Sequence, residues 1–308
     1  MPTPPSGRQI NRRSFLATAT AAAVLTACGG GESTAASSSG PEPGGPGLDD
    51  TLWLQAGFAD GLRIPTTLMA GRPERAPFVI FGSDGLPAVN GVPDAVEMTV
   101  TAPGGTTEVI EVGRRDALIP TPHYPLVFTP EAAGTYTIDA DIGGESQRVE
   151  FVVAERGSVS LVAPGDPLRP VDTPTFDDAR GYDPICTRFE PCPFHEVNLS
   201  DAIGSGRPTA LLVATPGFCQ TVICGPVVEL LMELDPVGMN VIHGEVYTEP
   251  DRLGEVNDFT SLIGPIVTTY DMDFEPSFVV ADADGIVTAR LDYTFDRDEM
   301  EEALSTVL

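Results

Sequence analysis

The chain has 308 residues with 45 acidic side chains against 17 basic ones, every one of them arginine, for a formal net charge of −28. So acidic a surface repels phosphate backbones and removes nucleic acid from the expected partners. A hydrophobic fraction of 42% is enough to build a sizeable core.

At the N-terminus, Asn11-Arg12-Arg13-Ser14-Phe15-Leu16 precedes an apolar, alanine-rich run that ends in Leu25-Thr26-Ala27-Cys28. An arginine pair, a short apolar run and a small-residue cleavage site describe a signal peptide over residues 1–27, and the run is too short to span a membrane. The arginine pair resembles a twin-arginine export signal, and Leu-Thr-Ala-Cys resembles a bacterial lipobox. Those resemblances imply a lipoprotein diacylated on Cys28 and held on the extracytoplasmic face of the cell membrane. Residues 28–50, rich in Gly, Ser, Pro and Ala, have no apolar period and read as a flexible tether.

Residues 51–155 read as all-β. Short apolar or alternating runs at 62–69, 77–81, 96–101, 108–112, 124–129, 136–141 and 148–153 are separated by Asp84-Gly85, Asn90-Gly91, Pro103-Gly104-Gly105, Pro130-Glu131 and Gly143-Gly144. Seven short strands with turn signals between them suggest an antiparallel sandwich of immunoglobulin type. The stretch from Phe128 to Tyr136 resembles the late hairpin of bacterial immunoglobulin-like domains. His123, the only histidine in this region, reads as a loop residue.

Pro164, Pro167, Pro170, Pro174 and Pro184 punctuate residues 156–185, which forbids continuous helix and predicts an extended connection lying on a surface. From 186 the elements alternate. A short helix is expected at 199–203, an apolar strand at 209–215 and a helix at 221–234 whose apolar face is Val222, Ile223, Val227, Leu230, Leu231 and Leu234. A strand at 240–247 follows, then a polar, partly helical stretch at 249–259. The chain ends in a hairpin of strands 278–281 and 286–293 and a helix from about 297, where Asp296 and Glu299 have capping-box spacing.

Apart from Cys28, the cysteines are Cys186, Cys192, Cys219 and Cys224. An exported chain with an even number invites pairing, and four cysteines allow three connectivities. Proximity favours Cys186 with Cys192, a structural disulfide at the entry to the second domain, and Cys219 with Cys224. Cys219 follows an apolar strand where a helix begins, and the unpaired N–H groups and positive dipole end of a helix favour a thiolate there. In an ideal helix, residues five apart are turned by about 140° and separated by about 7.5 Å in rise, so the two sulfurs bond only if Cys219 precedes the helix or the first turn unwinds. The four cysteines lack the Cys-x-x-Cys spacing usual in zinc sites, so no metal is expected. His195 and His243 read as packed or surface residues. Glu245, two residues from His243, shares its side of a strand; the pair reads as a solvated edge pair that would move a proton only if that face approached Cys224.

Phe218-Cys219 after the apolar strand, Pro226 within the helix and Glu275-Pro276-Ser277-Phe278 opening the hairpin resemble the thioredoxin superfamily over residues 195–308, nearest its TlpA-like, Sco-like and peroxiredoxin-like branches. The resemblance implies a two-domain chain, an immunoglobulin-like sandwich followed by an α/β thioredoxin-like fold at 186–308. It also implies a thiol–disulfide oxidoreductase with Cys219 as attacking thiolate and Cys224 as resolving thiol. Pro276 is then a cis-proline whose backbone, together with Thr215, Pro216 and Phe218, docks protein thiols or disulfides, and no cofactor is needed. Three alternatives stay open. Thr215-Pro216-Gly217-Phe218-Cys219 echoes a peroxiredoxin turn, but proline holds position 216 and Phe218 is inserted. A Sco-like copper chaperone would want a histidine near 275–277, where there is none. An anchored, redox-inactive binding module with two structural disulfides is the third.

Overall fold

The computed structural model describes residues 52–56, 68–219 and 223–308. The signal peptide, Cys28, the tether and most of the expected strand at 62–69 lie outside the described residues.

Two antiparallel sheets form the first half. One orders its strands β1 (Trp53–Ala56), β2 (Glu74–Phe81) and β5 (Tyr124–Phe128). The other contains β3 (Ala95–Thr101), β4 (Thr107–Gly113), β6 (Gly134–Ile142) and β7 (Glu145–Val153), in the order β4-β3-β6-β7. The two-residue period of a strand decides what lies between them: Val96, Met98 and Val100 of β3, with Tyr136, Ile138, Ala140 and Ile142 of β6, are buried in one cluster with Phe78, Ile80, Leu126 and Phe151. Phe128, Tyr136 and Phe151 stack or meet edge to face at 5.7–5.8 Å between ring centres. Gly134, at φ 135°, opens β6 where a Cβ would sit 2.8 Å from the Pro103 ring, so a side chain there must displace the turn. The result is an immunoglobulin-like β-sandwich.

The third sheet has the order β11-β10-β8-β9. Its strands are β8 (Thr209–Val213), β9 (Asn240–Gly244), β10 (Ser277–Ala281) and β11 (Val287–Asp292). β8 and β9 are parallel, with α2 (Cys224–Leu234) between them in sequence, while β10 runs antiparallel to both β8 and β11. Both faces are covered. Ala210, Leu212, Phe278 and Val280 face α2, α4 (Arg297–Ser305) and the 186–194 loop; Leu211, Val213, Val279 and Ala281 face α1 (Leu199–Ala202) and α3 (Pro265–Tyr270). This explains why β8 and β10 are buried at every position. The Pro-rich stretch does not lie on a surface: Leu161, Val162, Leu168 and Val171 belong to the core under α1 and α3.

The expected fold class, a sandwich followed by an α/β thioredoxin-like fold, is corrected. The described residues are mostly β-sheet, in three sheets, and the α-helices are few and short, at 4, 11, 6 and 9 residues. The physical reason is punctuation. α2 ends at Asp235 with φ 40°, followed by Pro236; α3 starts at Gly264-Pro265 and stops at Asp271 with φ 53°. The stretch expected to be partly helical around 249–259 contains only single 3₁₀ turns at Pro250–Arg252 and Phe259–Leu262. Residues 47–308 group as one compact unit.

A buried ionic cluster joins the sandwich to α4. Glu299 accepts from Arg75 Nε at 2.7 Å and pairs with His123 Nε2 at 2.7 Å, while Arg75 also donates to the carbonyls of Asp292 and Thr294. His123, expected as a loop residue, stands just ahead of β5 in an isolated bridge with Arg115 and is fully buried. Both arms of the capping box form at Asp296 and Glu299.

Candidate functional site

Parallel pairing of β8 with β9 and antiparallel pairing with β10 bring the ends of β8 and β9 and the start of β10 to one edge of the third sheet. Thr215, Glu245 and Glu275 arrive there from three separate stretches of chain. The Thr215 hydroxyl accepts from the Val246 N–H at 3.2 Å, and the amides of Phe218 and Cys219 donate to the Thr215 carbonyl at 3.1 and 2.9 Å. These bonds curl residues 215–219 into the turn that presents Cys219.

Cys219 and Cys224 are joined in a disulfide, with 6.0 Å between their Cα atoms, within the usual span for such a bond. Cys219 lies in the turn and is half-buried; Cys224 is fully buried. The expectation that Cys219 heads the helix is corrected, because α2 begins at Cys224 with Ile223 as its N-cap and no side chain capping it. Uncapped N–H groups and the positive dipole end favour negative charge on Cys224 rather than on Cys219.

Sequence reasoning missed Glu275 as a chemical group. One of its carboxylate oxygens and the two sulfurs of this disulfide all lie within 4.8 Å of one another. Burial raises its pKa to about 7, against the pull of two hydrogen bonds from Thr215, and nearby Glu245 adds to the rise. Oε2 of Glu275 is buried without a hydrogen-bond partner. The signal that could have found it is an acid directly before a proline that opens a buried strand. The Glu275–Pro276 bond is cis.

The other two cysteines correct a second expectation. Cys186 and Cys192 are not bonded: their sulfurs stand 3.9 Å apart, and both face Nδ1 of His243, at 3.6 and 3.4 Å. The loop between them has bent both sulfurs toward an imidazole on β9 instead of toward one another. The Cys186 thiol is held low by the hydrogen bond with Cys192, and Cys192 is pushed up by that same bond and by burial. His195 completes the group, with its ring centre 5.3 Å from that of His243. Neither histidine is a surface residue; both are fully buried. Glu245 is no solvated edge residue either. It is fully buried, and its Oε1 accepts from the N–H and hydroxyl of Thr187 at 2.5 and 2.9 Å.

Thr187 ties the two sulfur pairs together. Its hydroxyl accepts from the Gly217 N–H at 3.0 Å, and a Cβ on Gly217 would fall 2.8 Å from the Thr187 carbonyl oxygen. The turn before Cys219 thus rests directly on the loop that carries Cys186.

Of the expected docking residues, Pro216 is half-buried and Phe218 is exposed at 39%. Thr215 is fully buried with its hydroxyl engaged. Pro276 is buried as well, and its carbonyl already accepts from the Tyr293 N–H at 2.9 Å. Of these residues only Pro216 and Phe218 reach the surface, while Thr215 and Pro276 lie beneath them.

No family model matches the chain, and no curated protein does. Among solved structures it is similar to the Lin-41 filamin domain, at 18% identity over 28% of this chain and 81% of that one, TM-score 0.22. It is also similar to a mutant of Salmonella alpha-2-macroglobulin, at 16% identity over 43% of this chain and 8% of that one, TM-score 0.25. A third is a CARDB domain from Pyrococcus furiosus in complex with di-metal ions, at 13% identity over 38% of this chain and all of that one, TM-score 0.20.

Proposed function

We propose that the chain is a thiol–disulfide oxidoreductase outside the cytoplasmic membrane, with Cys219 and Cys224 as its redox pair and a lipid on Cys28 as its anchor. One observation carries this reading. The disulfide is asymmetric, with one half-exposed sulfur in a turn, one buried sulfur at the first residue of an 11-residue helix, and a buried carboxyl beside both.

The exchange follows from that asymmetry. A thiolate of a substrate dithiol attacks Cys219 Sγ, the reachable sulfur; a new S–S bond forms while the Cys219–Cys224 bond breaks, and its electron pair goes to Cys224. The head of α2 stabilises the departing thiolate, and a better-stabilised leaving group departs faster. Glu275, protonated near neutrality, supplies the proton that Cys224 takes up, and regains one from solvent. The substrate's second thiolate then attacks its own sulfur in the mixed disulfide and frees Cys219. Two electrons have passed from the substrate, now a disulfide, to the Cys219/Cys224 pair, now a dithiol. In reverse, the Cys219 thiolate attacks a substrate disulfide and Cys224 resolves the adduct.

The test is to trap the intermediate. A Cys224→Ser variant incubated with oxidised glutathione accumulates a glutathione adduct on Cys219, seen by mass spectrometry of the peptide. An unmodified Cys219 under those conditions refutes the reading and leaves the redox-inactive module.

A further inference from the structure

We propose that Cys186, Cys192, His195 and His243 hold a structural zinc ion. The ligand atoms of these four buried residues all lie within 4.8 Å of one another. Their spacing is what a tetrahedral ion demands. Zinc–sulfur bonds of about 2.3 Å and zinc–nitrogen bonds of about 2.05 Å at the tetrahedral angle place two sulfurs about 3.8 Å apart and a sulfur about 3.6 Å from a nitrogen. The observed separations are 3.9 Å between the sulfurs, and 3.6 and 3.4 Å from the sulfurs to His243 Nδ1.

The imidazoles supply an independent observation. His243 Nε2 donates to the Ala214 carbonyl at 2.9 Å, which leaves the lone pair of Nδ1 facing the sulfurs. His195 Nδ1 donates to the Pro174 carbonyl at 3.2 Å, and its Nε2 is buried without any hydrogen-bond partner. Each ring is held by a backbone carbonyl on one nitrogen and left unprotonated on the other, the outer-sphere arrangement that orients metal-ligating histidines. A Cys186–Cys192 disulfide would leave that His195 nitrogen orphaned. An ion satisfies it together with both sulfurs.

Charge and enclosure agree with zinc. Binding displaces one proton from each thiol, and two thiolates balance the dication, so the filled site is neutral among the apolar side chains of its core. Four protein ligands with no exposed position make a closed site, suited to structure rather than catalysis. Two softer ligands and two imidazoles in tetrahedral array select zinc over magnesium or calcium. Three ligands come from a loop without helix or strand and the fourth from β9, so the ion pins that loop to the sheet.

The test is metal analysis of the full chain, purified with zinc present and chelators absent. The expected result is one zinc per chain, retained by a Cys219→Ser/Cys224→Ser variant and lost from His195→Gln and His243→Gln variants. Should those histidine variants fail to fold, the unaltered chain refolded with cobalt(II) answers instead: a tetrahedral, thiolate-ligated site gives intense visible absorption bands that zinc abolishes. Metal-free protein carrying a Cys186–Cys192 disulfide overturns the proposal. Octahedral cobalt spectra, or folded histidine variants that keep their zinc, overturn it as well.

Discussion

The molecule holds two pairs of cysteines a few residues apart in sequence, packed against one core, and they have been given opposite surroundings. Cys219 and Cys224 are bonded, with one sulfur reachable and the other at a helix start beside a titratable carboxyl. Cys186 and Cys192 are unbonded and buried, and both face an imidazole. What separates the proposed exchanging disulfide from the proposed metal clasp is therefore the further groups that the fold delivers to each pair. Glu275 reaches one pair from the approach to β10; His195 and His243 reach the other from a loop and from β9.

The sharpest way to break this division is to delete the reachable sulfur. Cys219→Ser removes the disulfide that takes up the electrons, so dithiol oxidation slows by at least about a thousandfold, while zinc content stays at one per chain. A Cys219→Ser protein that still exchanges would assign the chemistry to the other pair.

Removing the ion comes next. Chelation under mild denaturant lowers the unfolding midpoint and destabilises the chain by at least about 3 kcal/mol, since loss of a metal is among the large single effects on stability. Thr187 joins the clasp to the turn that presents Cys219, so exchange slows in the same preparation and recovers when zinc is restored. Exchange indifferent to zinc would uncouple the two sites.

Third in size is the seam between sandwich and α4. Burial raises the Glu299 carboxyl, but the Arg75 charge and the hydrogen bonds from His123 and Arg75 outweigh it and bring the pKa down from 4.5 to about 2. A carboxylate with a depressed folded pKa stabilises above its unfolded value, and the effect is lost as pH falls from about 4.5 toward 2. The shift corresponds to about 3 kcal/mol. Glu299→Gln should flatten acid unfolding across that window, measured by circular dichroism.

Glu275 has the opposite sign. Its pKa, raised from 4.5 to about 7, contributes stability that is present below 4.5 and lost as pH rises through 7. Thr215, Glu245, His243 and the two sulfurs are the groups about it. Glu275→Gln slows exchange by about a hundredfold and removes its inflection near pH 7, with the Cys219–Cys224 bond still able to form. An unchanged pH–rate profile would reduce Glu275 to a packing residue.

Legibility in the sequence followed how local the cause was. The alternating strands of the sandwich from 77 to 153 and the capping box at Asp296 are written in neighbouring residues, so pattern found them. The four-residue β1 is too short to carry a period. α3, with Val267, Thr268 and Thr269 in its six residues, has poor helix propensity and forms because Ile266, Val267 and Tyr270 are buried against the sheet. Four separate stretches of chain make the candidate sites, and no spacing rule links Glu275 to Cys224 or His243 to Cys186. Two cysteines five residues apart on either side of a helix start were visible; what stands around each was not.

The two cysteine pairs divide redox exchange from metal binding in this proposal, and a redox titration of zinc-loaded chain, read by alkylation and mass spectrometry, puts that division to the test. Cys219 and Cys224 should pass together from disulfide to dithiol between about −270 and −120 mV, the span of thioredoxin-like couples, while Cys186 and Cys192 remain unalkylated thiolates throughout. A Cys219–Cys224 bond that resists reduction below about −300 mV, or a Cys186–Cys192 disulfide in the same protein, would contradict it.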